Sequence, residues 1–298
     1  MEEPNIINIA VVRGVCVANC KHCPVGQLTP EQRIARFGKG FISLNAFKDI
    51  CDQTLEFNNK PTIRVHGVGE PILWKKLRVG LAYAKENGLN TWVFTMGLGQ
   101  KRYQFIETIK HAGIVEFSIN SYEERDYMET KGLDSTCFHE VKKRISLLSK
   151  IKDRPRLLIS RVQTNDEKAD KAFLDFWQST NLADDVFIRS FHDYNQKISD
   201  EGGLLGNNSK DCLVPNSRMN IDGVLGVAVR CFNELFDCVT SVRKIAVHKI
   251  LQDMSLKEIW ESKTMNDWRE NIFAYPSCNN CRSCQPKDSD SSEKQIGC

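Results

Sequence analysis

The sequence predicts an α/β protein: a partial, open (β/α)6 parallel barrel with a smaller, cysteine-rich C-terminal extension made of a hairpin and a helix. Three observations lead to this prediction. Short apolar runs alternate with longer segments of helical spacing up to about residue 191, which favours a parallel sheet covered by helices. Six such units are too few to close an eight-stranded barrel. Seven of the twelve cysteines lie beyond residue 211.

The predicted strands and helices follow one another regularly. The strands cover residues 7–12, 62–67, 90–96, 115–120, 156–163 and 185–191. The helical segments between them cover residues 43–58, 74–87, 101–112, 123–151 and 168–180. Right-handed crossovers would curl such a sheet in one direction and bring its chemistry to the C-terminal ends of the strands.

The pattern changes after the sixth strand. Residues 195–211 are rich in Gly, Asn, Ser and Asp, which predicts a loop. We therefore assign 1–195 to the barrel core and 196–298 to the extension. Residues 217–230 predict a hairpin that turns at Asp222-Gly223.

The last predicted element is a helix over residues 255–273. Ser255 and Glu258 stand three residues apart at its start, which is the spacing of a capping box. Two cysteines, Cys278 and Cys281, follow it closely.

Composition excludes several classes of protein. The chain carries 41 basic and 38 acidic residues, a balance that gives no reason to expect a nucleic-acid or membrane partner. Residues 1–12 lack the basic and apolar regions of a secretory signal. We therefore expect a cytoplasmic protein, in which clustered cysteines indicate metal or iron–sulfur ligation rather than disulfides. Cys51 and Cys137 stand alone in helical patterns and are expected to fill space.

The sharpest motif is a group of three cysteines. Cys16, Cys20 and Cys23 directly follow the first strand in the spacing Cys-x3-Cys-x2-Cys. Three thiolates can occupy three corners of a [4Fe–4S] cube and leave the fourth iron open for another ligand. A zinc site that needs a distant fourth ligand is the alternative at this point.

Polar or glycine residues also end the later strands. Glycine lets the backbone approach a ligand closely, and side chains two residues apart share one face of a strand. Along the chain these residues are Gly67, Gly69, Glu70 and Pro71 after the second strand, Thr95 after the third, Ser118 and Asn120 at the fourth, Arg161 in the fifth, and Arg189 and His192 at the sixth.

Taken in this order, the motifs over residues 5–191 resemble the radical S-adenosylmethionine (SAM) superfamily. Its cluster motif has the same two spacings between its three cysteines and usually an aromatic residue where this chain has His22. The turn around Glu70 resembles the superfamily's Gly-Gly-Glu motif, with Val68 in place of one glycine, and Met96 departs from its Thr-Asn-Gly. The resemblance implies a SAM-binding [4Fe–4S] cluster on Cys16, Cys20 and Cys23, with SAM bound by Gly67, Gly69, Glu70, Pro71, Thr95, Ser118, Asn120 and Arg161. For Arg161 an outward-facing ion pair is an equal alternative.

The extension resembles the SPASM and twitch extensions of some radical SAM enzymes, which hold auxiliary iron–sulfur clusters. The full SPASM cysteine spacing fails after Cys278 and Cys281, whereas the shorter twitch pattern needs only four cysteines. We therefore expect one auxiliary [4Fe–4S] cluster on Cys212, Cys231, Cys278 and Cys281. The alternatives are competition between Cys284 and Cys281, a second cluster on Cys238, Cys284 and Cys298, and a structural zinc ion.

The resemblance implies an enzyme that cleaves SAM reductively, with electrons from a donor such as flavodoxin or ferredoxin, to form a 5′-deoxyadenosyl radical. An auxiliary cluster that accepts an electron favours a net two-electron oxidation. The first strand begins near residue 7, without room for a peptide-binding domain, so we expect a small sugar or aminocyclitol of natural-product biosynthesis. Peptide or protein modification (cross-linking, epimerisation or formylglycine-type oxidation) and a non-catalytic metal-binding scaffold are the alternatives. Candidate bases are His192, Arg161 and Tyr122.

Overall fold

A ten-stranded sheet forms the centre of the fold. A computed structural model describes residues 2–192, 194, 197–198, 212, 214–250, 254–275 and 278. Its strands are β1 (Ile6–Arg13), β2 (Gly40–Phe41), β3 (Thr62–Val68), β4 (Thr91–Thr95), β5 (Ile114–Ser118), β6 (Arg156–Val162), β7 (Asp185–Arg189), β8 (Arg218–Asp222), β9 (Val227–Val229) and β10 (His248–Lys249). They are ordered β10-β9-β8-β1-β3-β4-β5-β6-β7, with β2 paired to β1 outside this path.

Helices cover the outer face of this sheet. They are α1 (Pro30–Phe37), α2 (Leu44–Thr54), α3 (Leu77–Glu86), α4 (Arg102–Ile109), α5 (Glu124–Lys131), α6 (Ser135–Leu148), α7 (Glu167–Ser179), α8 (Val214–Ser217), α9 (Val239–Ile245), α10 (Leu256–Glu261) and α11 (Lys263–Glu270). None of the helices in the described part of the chain is long and apolar enough to cross a membrane.

The predicted parallel core is confirmed. β1 and β3 through β7 pair in parallel, and β7 and β10 end the strand order without meeting, so the barrel is open. Two predicted helices are each two helices in the structure. Gly132, in the left-handed conformation at φ 62°, ends α5, and Asp134 then caps α6. Ser262 likewise ends α10 and caps α11, while the predicted capping box of Ser255 and Glu258 is present.

The predicted hairpin joins the barrel sheet. β8 and β9 pair antiparallel across the turn that begins at Asp222-Gly223, as the sequence predicts. β8 also pairs in parallel with β1, from Ile6 opposite Arg218 to Ala10 opposite Asp222. The extension therefore continues the sheet of the core instead of standing beside it.

The two faces of the sheet are packed differently. Alternate apolar residues such as Ile9, Val65 and Phe117 point outward and form the main core with the helices. On the inner face, a small apolar group closes the end of the barrel where the parallel strands begin. It contains Ile6, Trp92, Leu158 and Phe187. The space above this group, towards the strand ends, is where the polar residues meet.

Candidate active site

A cavity of about 190 Å³ lies at the C-terminal ends of the parallel strands. It brings together most of the site residues predicted from the sequence. Those that line it are Cys16, Cys20, Cys23, Gly67, Gly69, Glu70, Pro71, Thr95, Ser118, His192 and Cys231. Other predicted residues of the described chain lie outside its lining: Asn120, Tyr122, Arg161, Cys212 and Cys278. Cys281, Cys284 and Cys298 fall outside the described residues.

The segment that carries the three cysteines, residues 14–28, is here called the cysteine loop. Arg33 of α1 is buried beneath this loop, with 2% of its surface exposed, and holds it in place by hydrogen bonds. The guanidinium donates to the carbonyl oxygens of Leu28 (2.9 Å), Cys16 (3.1 Å) and Ala18 (3.0 Å), and to Asn19 Oδ1 (2.5 Å). One side chain thus satisfies several backbone acceptors of a loop with no regular structure.

The glycines after β3 allow the cysteine loop to pack on the next strand. A Cβ at Gly67 would lie 2.3 Å from Val12 Cγ1, and a Cβ at Gly69 would lie 2.3 Å from the carbonyl oxygen of Val15. The Glu70 N–H donates to that same carbonyl oxygen at 2.9 Å. The sequence predicts that these glycines let the backbone approach a ligand. In the structure, their missing side chains make room for β1 and the loop that follows it.

Glu70 connects the ends of two neighbouring strands. Its side chain, 3% exposed, accepts from Thr95 Oγ1 (2.5 Å), the Met96 N–H (2.9 Å) and the Ile72 N–H (3.1 Å). Burial raises the pKa of Glu70 to about 7 against the opposing effect of these hydrogen bonds. The turn that resembles the SAM-binding motif is therefore held rigidly at the cavity wall.

Asn120 connects the fourth predicted strand end to the cysteine loop. Its Nδ2 donates to His22 Nε2 at 2.7 Å, and its Oδ1 accepts from the Val162 N–H at 2.8 Å. Burial, followed by the charges of Lys131 and Arg161, lowers the pKa of His22 to about 3, so the neutral ring can accept this hydrogen bond. His22 thus has a structural contact within the cysteine loop.

Arg161 and Tyr122 are committed to contacts outside the cavity. Arg161 donates to Asp170 Oδ1 at 2.9 Å and to Asp126 Oδ2 at 3.0 Å, and its side chain is 5% exposed. Tyr122 packs against the ring of Phe176, with 6.3 Å between the centroids. The ion pair that the sequence left open for Arg161 is therefore present, although it is buried rather than outward-facing.

His192 is the candidate base that the structure places at the cavity. Its ring Nδ1 is buried and has no hydrogen-bond partner among the described residues. Burial, followed by the charges of Arg189, Arg218 and Arg64, lowers the pKa of His192 to about 4. The ring is therefore neutral near pH 7.

Sequence reasoning missed several cavity residues. Lys131, the last residue of α5, is 1% exposed and donates to Ser118 Oγ at 3.4 Å. Arg64 and His66 line the same cavity from β3. A signal was available, because Arg64 and His66 alternate with apolar residues in "TIRVHG" and so share one face of a buried strand.

The described cysteines of the extension differ in what surrounds them. Cys212, Cys231 and Cys278 are all half-buried against the main core, and Cys231 also lines the cavity. Trp268 Nε1 donates to Cys278 Sγ at 3.4 Å. Cys238 Sγ lies 3.2 Å from Ser241 Oγ. The predicted auxiliary set is thus only partly described, and Cys231 connects it to the cavity.

The residues present fit an iron–sulfur cube. Among the described residues, no group of three or more His, Cys, Asp or Glu side chains is gathered closely enough to hold a single metal ion. A cube takes each thiolate on a different iron, so its ligands stand further apart. Three thiols from one loop face one cavity, and burial, followed by the Glu70 charge, raises the pKa of Cys16 to about 12. Such thiols need a cationic centre to become thiolates.

Comparison with known proteins gives structural matches only. No protein-family model matches the chain, and no curated protein matches it. The solved structure of BtrN in complex with AdoMet (SAM) and 2-DOIA is 14% identical, covers 94% of each chain and has a TM-score of 0.57. Native anSMEcpe with bound AdoMet is 14% identical, with 96% of this chain and 92% of that chain covered and a TM-score of 0.66.

A third structure is SuiB from Streptococcus suis bound to its precursor peptide SuiA. It is 13% identical, with 95% of this chain and 71% of that chain covered and a TM-score of 0.66. These three proteins are radical SAM enzymes. The chain therefore has the radical SAM fold, which confirms the fold expected from its motifs.

Proposed function

We propose that this chain is a radical SAM oxidoreductase that cleaves SAM reductively and oxidises a small polar substrate, a sugar or aminocyclitol, by two electrons. The observation that carries the proposal is the convergence of the three cysteine-loop thiols, Glu70 and Thr95 on one cavity. With SAM bound, a reduced [4Fe–4S] cluster would supply the 5′-deoxyadenosyl radical that takes a hydrogen atom from the substrate. The similarity to BtrN bound to 2-DOIA supports a small molecule.

The chain's own residues would bind and orient these groups. Cys16, Cys20 and Cys23 would hold the cluster. Lys131, which lines the cavity beside Ser118, is better placed than Arg161 to bind the SAM carboxylate. The remaining residues proposed to bind SAM are Gly67, Gly69, Glu70, Pro71, Thr95, Ser118 and Asn120.

His192 is the base that we propose for the oxidation. Conversion of a secondary alcohol to a ketone needs a group that takes the hydroxyl proton. His192 lines the cavity with a neutral ring, whereas Tyr122 and Arg161 are engaged elsewhere. Substrate held against His192 would present its C–H bond to the same enclosed space.

One auxiliary [4Fe–4S] cluster is proposed on Cys212, Cys231, Cys278 and Cys281, with Cys284 as the alternative to Cys281. The position of Cys231 on the cavity supports an electron acceptor beside the substrate. Flavodoxin or ferredoxin is the proposed electron donor.

Peptide modification is a second candidate function. The similarity to SuiB bound to its precursor peptide favours it as strongly as the similarity to BtrN favours a small molecule. The two differ in what the cavity must admit: a free small molecule, or one side chain of a longer peptide.

The decisive measurement is the formation of 5′-deoxyadenosine by anaerobically reconstituted protein with dithionite and SAM. Substitution of Cys16, Cys20 or Cys23 by Ala should abolish the product, whereas Cys137→Ala, at a half-buried position in the first turn of α6, should leave it unchanged. Cys212→Ala/Cys231→Ala should retain some cleavage that is uncoupled from substrate oxidation. If the wild-type protein has its clusters and yields no 5′-deoxyadenosine, it is a non-catalytic metal-binding scaffold and the proposal is wrong.

A further inference from the structure

The inner face of the barrel carries an unusual amount of positive charge for a buried surface. Arg64 from β3, Arg189 from β7 and Arg218 from β8 line the cavity with the ring of His66 from β3, which is neutral because burial, followed by the charge of Arg64, lowers its pKa well below the ordinary value. Arg64, His66 and Arg218 are between 3% and 8% exposed. Charged side chains are rarely buried to this extent without partners or function.

Glu116 of β5 pairs with two of these guanidinium groups. It is fully buried and accepts from Arg189 Nε and Nη2, both at 2.5 Å, while Arg64 Nη2 lies 3.6 Å away. Burial alone would raise the pKa of Glu116, but Arg189 and Arg64 hold it below its ordinary value, so it is charged. This carboxylate faces both guanidinium groups. Burial, followed by the charges of Arg189 and Arg218, lowers the pKa of Arg64 to about 9 against the opposing effect of Glu116.

Two of the lining side chains keep hydrogen-bonding atoms unused. Arg64 Nε is buried without a partner among the described residues, and its guanidinium stacks on Trp92, 4.6 Å from the ring centroid. Both ring nitrogens of His66 are also buried without a partner in that part of the chain. A buried polar group without a hydrogen-bond partner destabilises the fold. Their position on a cavity wall therefore indicates a ligand that accepts hydrogen bonds.

Arg64 lies apart from the proposed SAM site, and His66 lies between it and Gly67 along β3. Arg64 stands three residues before Gly67 on β3, about 10 Å deeper along the strand at a rise near 3.3 Å per residue. Lys131 provides a cation at the other end of the cavity, beside Ser118. The SAM carboxylate thus has its own candidate partner near the cysteine loop, and the unused donors of Arg64 and His66 indicate a second ligand.

We propose that the substrate carries an oxyanion, a carboxylate or a phosphate, which binds to Arg64, His66 and Arg218 at the deep end of the cavity. This inference rests on the proposed function and narrows it. Arginine matches planar oxyanions with paired donors, and a neutral imidazole adds one N–H donor. A protonated aminocyclitol would meet like charge here. A sugar acid or sugar phosphate therefore fits better within the small polar class.

The test measures anion binding to the reconstituted protein through the change in its melting temperature, at constant ionic strength. The probes are inorganic phosphate, acetate and, as the cation control, methylammonium. We expect phosphate or acetate to raise the melting temperature in a saturable way, and methylammonium to have no such effect. The anion with the lower dissociation constant identifies the head group as phosphate or carboxylate. The shift should persist when SAM is present at saturation.

Three variants locate the site. Arg64→Gln and His66→Phe should each weaken anion binding about tenfold or more, while Arg64→Lys, which keeps the charge, should retain part of it. Arg125→Gln, on a side chain that is 88% exposed, is the matched control and should bind as the wild type does. Circular dichroism checks that each variant is folded.

The possible failures are distinguishable. No saturable response to either anion, equal responses in wild type and both Arg64 variants, or a response that SAM abolishes would each overturn the oxyanion site. SAM cleavage without anion binding refutes this inference and leaves the proposed function intact. Anion binding without SAM cleavage supports the oxyanion site and refutes the proposed function.

Discussion

Substitution of Arg33 by Met tests whether one buried guanidinium organises the cysteine loop. Methionine is of similar length and keeps the apolar part of the contact with α1 but removes every donor. The loop then loses the three shorter backbone hydrogen bonds, to the carbonyl oxygens of Leu28, Cys16 and Ala18. It also loses the bond to Asn19 Oδ1 and one of 3.4 Å to the Gly26 carbonyl oxygen. The first three lie between 2.9 and 3.1 Å.

The magnitude follows from these contacts. A hydrogen bond to a charged group contributes about 1.5–3 kcal/mol. Three at the lower end give about 4 kcal/mol, because the freed carbonyl groups regain water when the loop opens. At 1.4 kcal/mol for each factor of ten, the ordered loop becomes about a thousandfold less favoured relative to open forms. This is a large part of the 5–15 kcal/mol that stabilises a typical domain.

The assay is iron and sulfide content after anaerobic reconstitution, in a Cys231→Ala background that removes the proposed auxiliary cluster. Arg33→Met should bind several-fold less iron than its parent, and Arg33→Lys should be intermediate because an ammonium reaches fewer acceptors. Arg36→Met is the matched control, because Arg36 lies three residues further along α1 and is exposed. Equal iron content and equal melting temperature in Arg33→Met and Arg36→Met would refute the role assigned to Arg33.

Two further predictions concern folding. Gly26→Ala should lower iron content more than Gly88→Ala, because its Cβ would lie 2.3 Å from the Cys20 carbonyl oxygen within the cysteine loop. At Gly88 a Cβ has no atom within 4 Å, and the positive φ of 73° there strains a turn far from the cysteine loop. Equal losses of iron would contradict this. The hydrogen bond from Arg102 outweighs burial and lowers the pKa of Glu140 to about 2. Glu140→Gln should therefore lower the free energy of unfolding in urea by about 1 kcal/mol above pH 4.5, and this difference should decrease as the pH falls towards 2. A loss of stability that does not depend on pH would contradict the prediction.

The parallel core was predictable because its signals are local. Each strand is an apolar run beside a helical segment, and the bounds found for β1, β3 and β6 differ by only one residue from those predicted. α1 was missed although its signals were also local. Thr29 and Gln32 form a capping box, and Pro30 opens the helix. The single helix expected over 123–151 failed because Gly132 adopts a left-handed conformation within an otherwise helical pattern.

The residues of the candidate site that belong to sequence motifs were predictable. Those that only the fold brings to the site were not. Cys16, Glu70 and Ser118 stand at strand ends, which in a parallel sheet meet at one edge. Arg33 reaches the cysteine loop from a helix, and its only signal is that it shares a helical face with the buried Phe37 while Ile34 is exposed. Such long-range hydrogen bonds leave little trace in a local pattern.

Arg13 explains how the extension is held to the core. This last residue of β1 is 1% exposed and forms a buried ion pair with Asp222 at the hairpin turn. It also donates to the carbonyl oxygens of Phe37 (2.7 Å), Leu235 (3.0 Å) and Asp237 (3.0 Å). A buried ion pair contributes little net stability, but a misplaced partner would leave a charge unpaired. The contact therefore selects one position of the hairpin relative to β1.

The position of the hairpin determines which residues of the extension line the cavity. With β8 in parallel register beside β1, Arg218 faces the same space as Arg64 and His66, and Cys231 follows the hairpin onto the cavity wall. The cations proposed to bind the substrate therefore come from both sides of the sequence boundary at residue 195. A protein that lacked the extension would lose part of the oxyanion site as well as the auxiliary cysteines. Substrate recognition and electron acceptance would then fail together, so each must be tested by single substitutions in the full chain.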